Sequence, residues 1–262
     1  MARALETGLL IDERRRRICE LLRAQGRVTV EDLARRFGIS QVTIRADLAA
    51  LESGGALART HGGALPPEAG QDQPLTVKQL LHHAEKQRIA VAAAELIQDG
   101  ETIILDSGTT TAELARCIRQ RELASINVIT NALNIAALLI DVPSVRLIVP
   151  GGILRRESNS LSGPMAESAL ANLTADRLYL GADAIDPELG VMTPHLAEAE
   201  LNAKMIRISR DVVVVADSSK LTRRNISVIA KTEQIQLLIT DRGAPAGALG
   251  RLRARGVEVR LV

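Results

Sequence analysis

The stretch Phe37-Gly38-Ile39-Ser40-Gln41-Val42-Thr43-Ile44-Arg45-Ala46-Asp47-Leu48 carries the most information in this 262-residue chain. Glycine directly after an apolar residue marks a helix end, because the left-handed C-cap position favours glycine. Two residues on, Ser40 is an N-cap type whose hydroxyl accepts an orphan backbone N–H of the next helix. Ile44, Leu48 and Leu51 follow at spacings of four and three, the period of a helix with one buried face, and Gly54-Gly55 stops it. Working back, Thr29 caps a helix with Leu33 and Ala34 on its apolar side. Residues 12–24 form another, with Ile18, Leu21 and Leu22 inward, the arginines at 14, 15, 16 and 17 largely outward, and Gly26 at its end. Working forward, residues 56–65 suit a short β-ribbon turning at Gly62-Gly63. Helix, glycine-containing turn, helix and ribbon make a winged helix-turn-helix.

A face buried by Ile44, Leu48 and Leu51 leaves Val42, Arg45, Ala46 and Ala49 pointing away, with Gln41 at the border. Glutamine pairs with adenine and arginine with guanine or phosphate, while Val42 and Ala46 offer apolar contact to a thymine methyl. Ser40 and Thr43 complete the candidate set at the helix start. Arg59, His61 and the Gly62 backbone in the wing suit phosphate or minor-groove contacts. A polar face is also an ordinary solvated surface, and residues 14–17 fit that reading as well as a phosphate contact.

Composition narrows the classes. Residues 1–65 hold eleven Arg and no Lys against eight acids, whereas the rest of the chain is nearly balanced. Positive excess in one quarter of the chain points to a polyanion partner. Having no Trp, one Tyr and one Phe argues against aromatic stacking platforms for single-stranded nucleic acid. Cys19 and Cys117 form no CxxC or Cys/His cluster, so neither zinc nor a disulfide framework is expected, and no cofactor is implied. No run is apolar enough to span a membrane, and no signal-peptide pattern opens the chain, so the expected compartment is the cytoplasm.

Residues 66–77 are rich in Pro, Gly, Gln and Asp and read as an exposed linker. The expected organisation is a winged unit over 1–65, a linker over 66–83 and a second domain over 84–262. There, near-continuous apolar runs at 102–106, 127–130, 145–149, 177–182, 212–216, 237–240 and 257–262 predict strands. Helical patterns at 84–98, 110–120, 132–139, 165–173, 197–209 and 246–254 lie between most of them. The alternation predicts an α/β fold with a mostly parallel sheet covered on both faces.

Within it, Thr102-Ile103-Ile104-Leu105-Asp106-Ser107-Gly108-Thr109-Thr110-Thr111 leads a strand through a small-residue turn into a helix. The exposed N–H groups, the hydroxyls and the helix dipole favour an anion. There is no P-loop lysine, so a phosphate monoester fits better than a nucleoside triphosphate. Asn131, Gly151-Gly152, Gly181 to Asp186 and Asp217 to Lys220 follow other strands. In open parallel sheets ligands bind at these carboxyl ends. Carboxylates there would take sugar hydroxyls, and Lys220 would take phosphate or sugar oxygens. Each residue alone is also an ordinary turn or cap former.

Two resemblances now join these readings. Arg15-Arg16-Arg17-Ile18, Val28-Thr29-Val30-Glu31-Asp32-Leu33-Ala34, the opening stretch, and Arg59-Thr60-His61-Gly62-Gly63-Ala64 closely resemble the DeoR family of bacterial transcription regulators. One departure is Ala46, where the family usually has a second Arg, which should remove a DNA contact. In the second half Lys86-Gln87-Arg88-Ile89-Ala90, residues 105–111, Thr130-Asn131, Gly151-Gly152, residues 181–186, Glu198-Ala199-Glu200 and Asp217-Ser218-Ser219-Lys220 resemble the family's effector domain.

The resemblance implies a domain similar to ribose-5-phosphate isomerase that binds sugar phosphates. It implies that residues 107–111 (Ser107, Gly108, Thr109, Thr110 and Thr111) hold phosphate. Asp183, Asp186 and Glu198 would line the sugar side, and Lys86, Asp217 and Lys220 would sit at the pocket. Asp106, Asn131, Gly152 and Gly181 complete that set at the strand ends. Leu154-Arg155-Arg156, residues 182–186 and Gly256-Val257-Glu258-Val259 most resemble regulators of N-acetylgalactosamine and related amino-sugar operons.

The expected function is a non-enzymatic repressor of a sugar or amino-sugar catabolic operon. It would bind double-stranded operator DNA as a symmetric dimer or tetramer assembled through the second domain, and a phosphorylated sugar would release it. The alternatives are a sugar-phosphate isomerase with an attached DNA-binding unit, for which Asp183, Asp186 and Glu198 supply candidate bases, and a constitutive architectural DNA binder.

Overall fold

The structure, a computed structural model, describes residues 6, 8–53, 55–66 and 75–262. They divide into two compact units, 1–83 and 84–262.

The first unit contains helices α1 (Ile11–Gln25), α2 (Val30–Phe37) and α3 (Gln41–Ser53), and strands β1 (Val28–Thr29), β2 (Ala58–Thr60) and β3 (Gly63–Leu65). The caps are those that the local chemistry demands. Gly26 closes α1 and Gly38 closes α2, both left-handed, at φ 71° and 67°. Thr29 Oγ1 accepts from Asp32 N at 3.1 Å, and Ser40 Oγ accepts from Thr43 N at 3.1 Å. Ile18, Leu22, Leu33, Phe37, Ile44, Leu48 and Leu51 are buried together, each contributing roughly 1.5–3 kcal/mol of hydrophobic stabilisation. The ribbon is antiparallel in the order β1-β3-β2. A Cβ on Gly63 would lie 1.9 Å from the Val28 carbonyl oxygen, so β3 pairs with β1 only through glycine there.

The stretch 66–83 departs from the linker expected of it. Residues 67–74 lie outside the described residues, but Leu75–Leu80 is a helix, α4, in the first unit. Leu75 and Leu81 are buried, and Leu81 joins the core of this unit. The Pro/Gly/Gln composition therefore ends before Leu75, and the apolar residues beyond it extend the DNA-reading unit.

In the second unit the chain runs α5 (His83–Ala94), β4 (Thr102–Leu105), α6 (Thr109–Arg119), β5 (Ile126–Thr130), α7 (Leu133–Leu139), β6 (Val145–Ile148), β7 (Ile153–Arg155), β8 (Ser160–Ser162) and α8 (Pro164–Leu170). It continues through β9 (Ala175–Leu180), β10 (Ala184–Asp186), β11 (Gly190–Thr193), α9 (Leu196–Ile208), β12 (Ser209–Val215), β13 (Ser227–Ala230), β14 (Leu237–Thr240), α10 (Ala246–Ala254) and β15 (Glu258–Leu261).

Among the described residues, seven strands form one parallel sheet, ordered β15-β14-β12-β9-β4-β5-β6. These are the seven apolar runs read from the sequence. Successive residues feed opposite faces, as the two-residue period of a strand requires. Leu178, Leu180, Val212 and Val214 pack with α8, α9 and α10. Ile103, Leu105, Tyr179, Val213 and Val215 pack with α5, α6 and α7. From β4 the chain builds outward through β5 to β6, then returns to β9 on the other side of β4. The strand order thus reverses between β4 and β9, and loops leaving these two strands diverge into a crevice. The hairpin β7–β8 and the antiparallel sheet β10-β11-β13 were not expected from periodicity, since three- and four-residue strands carry too little pattern.

Candidate functional site

In the DNA-reading unit, α3 buries Ile44, Asp47, Leu48 and Leu51 and exposes Gln41, Val42, Arg45 and Ala46. Val42 is 73% exposed, an apolar side chain held in water beside Gln41 and Arg45. Arg45 Nη2 donates to Gln41 Oε1 at 3.1 Å, which sets the two candidate base-reading groups side by side. Ser40 Oγ and Thr43 Oγ1 lie 2.9 Å apart within the cap. In the wing, Arg59, His61 and Gly62 are exposed. Gly62 O accepts from Val30 N at 2.8 Å, tying the wing turn to the start of α2. Arg59 N donates to Glu52 Oε1 at 3.0 Å, so the wing is also fastened to the end of α3.

The arginine run is not one outward face. Arg14 Nε donates to Asp47 Oδ2 at 2.7 Å and Arg15 Nε to Asp47 Oδ1 at 3.0 Å, with Arg14 and Asp47 both buried. Arg17 Nε pairs with Glu6 at 3.0 Å, and Arg36 pairs with the same carboxylate at 2.6 Å. Asp47 is thus the structural clasp between α1 and α3, a role the sequence reading missed. Its signal was an acid three residues after Ile44, on the buried side of the helix.

In the second unit the polar groups gather at the strand reversal. Asp106, 2% exposed, ends β4. Its Oδ2 accepts from Gly181 N, at the end of β9, at 3.2 Å, and its own amide donates to Tyr179 O at 3.1 Å. Burial, and then the nearby Glu198 carboxylate, push the Asp106 carboxyl well above the usual carboxylate range, although the backbone amides of Ser107 and Gly181 and the side-chain amide of Asn202 oppose the shift. Ser107, Thr109, Thr110 and Thr111 are buried, and Thr111 Oγ1 donates to Gly108 O at 3.1 Å. No side chain caps α6 at Gly108, so the first-turn donors and the dipole of this helix suit an anion.

Asn131 ends β5 and donates from Nδ2 to Leu161 O at 3.0 Å, while its buried Oδ1 has no hydrogen-bond partner. Gly152 follows β6 at the base of the hairpin, where a Cβ would sit 2.7 Å from Ser162 O. Asp183 accepts from Thr193 Oγ1 at 3.3 Å. Glu198, in the first turn of α9, lies 3.7 Å from Arg155 Nη1.

Asp186 and Asp217 serve local turns. Asp186 Oδ1 accepts from Glu188 N and Leu189 N at 2.9 and 3.0 Å, and Oδ2 accepts from Arg224 Nε at 2.5 Å. Burial works against its charge, but these donors hold its carboxyl below the usual range. Its carboxylate therefore fastens the β10–β11 turn. Asp217 caps the short turn Ser218–Thr222, which contains Lys220, by accepting from Ser219 N at 3.1 Å. Lys86 is 4% exposed, in α5 on the opposite helical layer from α9.

The reading from sequence missed Asn202 and His195, and it quoted Arg155 only for the resemblance to amino-sugar regulators and not as a site residue. Glu198 and Asn202 stand one helical turn apart, a spacing that puts them on one face of α9. Asn202 is fully buried beside Asp106, and its side-chain amide favours the ionised form of that carboxyl. Among the described residues no His/Cys/Asp/Glu cluster suits a metal ion, and no helix is long and apolar enough to cross a membrane.

A winged helix-turn-helix joined to a parallel α/β unit with a polar site at its strand reversal is a ligand-responsive transcription regulator. Residues 14–69 match the DeoR-like helix-turn-helix domain, and residues 81–242 match the DeoR C terminal sensor domain. The chain belongs to the DeoR family. It is 45% identical over 253 residues to a putative aga operon transcriptional repressor of Escherichia coli O157:H7, covering 95% of this chain and 93% of that protein. It is 37% identical over 252 residues to the HTH-type transcriptional regulator GlpR of Haloferax volcanii, covering 96% and 98%. To the glycerol-3-phosphate regulon repressor of Escherichia coli K12 it is 29% identical over 249 residues, covering 95% and 98%. The protein is accordingly a DNA-binding regulator and not an enzyme. Among solved structures, ribose 5-phosphate isomerase A of Methanocaldococcus jannaschii is similar at a TM-score of 0.40 and 21% identity, over 53% of this chain and 55% of that one. The chain spans about half the length of that isomerase.

Proposed function

We propose that this regulator represses a sugar or amino-sugar catabolic operon and leaves its operator when a phosphorylated sugar occupies the strand-reversal site. The observation that carries the reading is the junction of β4 and α6. An uncapped helix start with buried hydroxyls at 107–111 offers donors to phosphate, and Asp106, with Glu198 near it, and Asp183, two residues beyond Gly181, would accept from sugar hydroxyls. The relative named for an aga operon supports placing phosphorylated amino sugars first among candidates.

On the DNA side, Gln41, Val42 and Arg45 read bases in the major groove, with Ser40 and Thr43 at the helix start and Arg59, His61 and Gly62 on the backbone. Lys86, Asn131, Gly152, Gly181, Asp217 and Lys220 complete the sensing region, and Asp186 acts through the β10–β11 turn. The protein works in the cytoplasm as a symmetric dimer or tetramer on paired half-sites. The ligand shifts DNA affinity only through a difference in its binding to the two states.

The test is a thermal-shift panel of sugar phosphates and their free sugars, followed by operator release. A ligand that binds the folded state raises apparent stability. Stabilisation and release by a phosphorylated sugar, but not by its free sugar, is the expected result. Equal responses to both would remove the phosphate from this reading.

A further inference from the structure

The hairpin β7–β8 leaves β6 through Gly151 and Gly152, both left-handed at φ 76° and 119°. On its β5 side, Asn131 and Leu161 exchange two hydrogen bonds of 3.0 and 2.8 Å, and Leu133 N donates to Asn159 O at 2.9 Å. On its α9 side the tie runs through Arg155. Arg155 Nη2 lies 2.8 Å from His195 Nε2, and Nη1 lies 3.1 Å from Ser158 Oγ and 3.7 Å from Glu198 Oε2. The first strand of the hairpin is loosely held, with Ile153 71% and Leu154 46% exposed, while Leu161 anchors the second strand by its burial. These ties link the ends of β5 and β6 to the start of α9, whose Glu198 carboxylate lies near Asp106, the residue that precedes 107–111.

We propose that this hairpin is a strap over the effector site and that Arg155 is a specificity-determining residue. The effector phosphate, seated on residues 107–111, draws the Arg155 guanidinium away from Glu198 and draws the strap down. The inference rests on the effector reading above and adds to it a residue and a moving part.

At 3.7 Å the Arg155–Glu198 pair is Coulombic without a hydrogen bond. A phosphate presents several oxygens to the planar guanidinium fork and forms the shorter, bidentate, charge-assisted contact. Moreover, Asn131 Oδ1 is buried without a hydrogen-bond partner, and such a group carries a desolvation cost that a polar ligand relieves. It lies beside the hairpin, where its Nδ2 donates to Leu161 O.

The experiment compares full-length wild type, Arg155→Met and Arg155→Lys. The probes are glucosamine 6-phosphate, galactosamine 6-phosphate, their N-acetyl forms, fructose 6-phosphate, ribose 5-phosphate and glycerol 3-phosphate. Thermal shift reads affinity, and amide hydrogen exchange over residues 153–162 reads the strap. The ligand that stabilises wild type should slow exchange across the hairpin. Arg155→Met should need about tenfold more of it or beyond and lose the slowing, while binding operator normally without ligand. Arg155→Lys, which keeps the charge, should recover part of the affinity. Should Arg155→Met fail to fold, Arg155→Lys and the wild-type exchange decide the matter. Unchanged affinity in the substituted chains, or a wild-type hairpin that the ligand does not slow, overturns the strap and leaves the effector reading standing. No response of wild type to any probe removes both.

Discussion

Asp47 lies between the guanidinium groups of Arg14 and Arg15, 2% exposed, with its partners 33 and 32 residues back in the chain. Removing one member of a buried pair leaves the other charged and unpaired, at a cost of about 3–5 kcal/mol. Asp47→Ala should therefore unfold the DNA-reading unit at lower denaturant, which circular dichroism would detect, with no change in effector affinity. Asp106 makes the opposite kind of prediction. Its raised carboxyl holds a proton that the unfolded chain releases near its ordinary pKa of about 4. Between that value and the raised one the folded state binds more protons, so stability falls as pH rises through this window. Asp106→Asn stays neutral, so it should flatten that part of the stability–pH profile and melt higher at neutral pH, yet fail to respond to effector. A profile that keeps its slope would mean Asp106 is not the titrating group.

At the scale of elements, α3 and the wing each have a decisive position. Arg45→Ala should weaken operator binding by roughly 1–3 kcal/mol and relax preference at one base position, measured against operator variants. Ala46→Arg, which restores the residue usual in the resembling family, should tighten binding and steepen its salt dependence by about one phosphate contact. Gly63→Ala puts a Cβ into the Val28 carbonyl oxygen. It should abolish operator binding in a gel-shift assay while effector binding persists. Long elements were legible in advance because a helix such as α9, thirteen residues, repeats its pattern over several turns. The hairpin β7–β8 was not, because its strands run for three residues each and its hold on Asn131 and His195 is made by side chains distant in sequence.

Over the whole molecule, each unit holds its own core. Unfolding of the full chain should show two transitions. A saturating effector should raise the one belonging to 84–262, by about 2.7 kcal/mol when its concentration is a hundred times Kd. A single transition that moves as one would mean the units unfold together.

The sequence by itself determined the two-unit plan, the seven sheet strands, the helix-turn-helix and the polar strand ends. All of these depend on residues near one another in the chain, through caps, glycines and the periods of helix and strand. Only the tertiary structure decided which polar residues meet. It placed Arg14 inside against Asp47, turned Asp186 toward Arg224, and drew Asn202 and Glu198 to Asp106. It also carried the chain past the composition of 66–74 to bury Leu81 in the first unit. The physical reason is that burying a charge or an amide depends on the partner waiting for it, and that partner arrives from elsewhere in the chain only when the chain has folded.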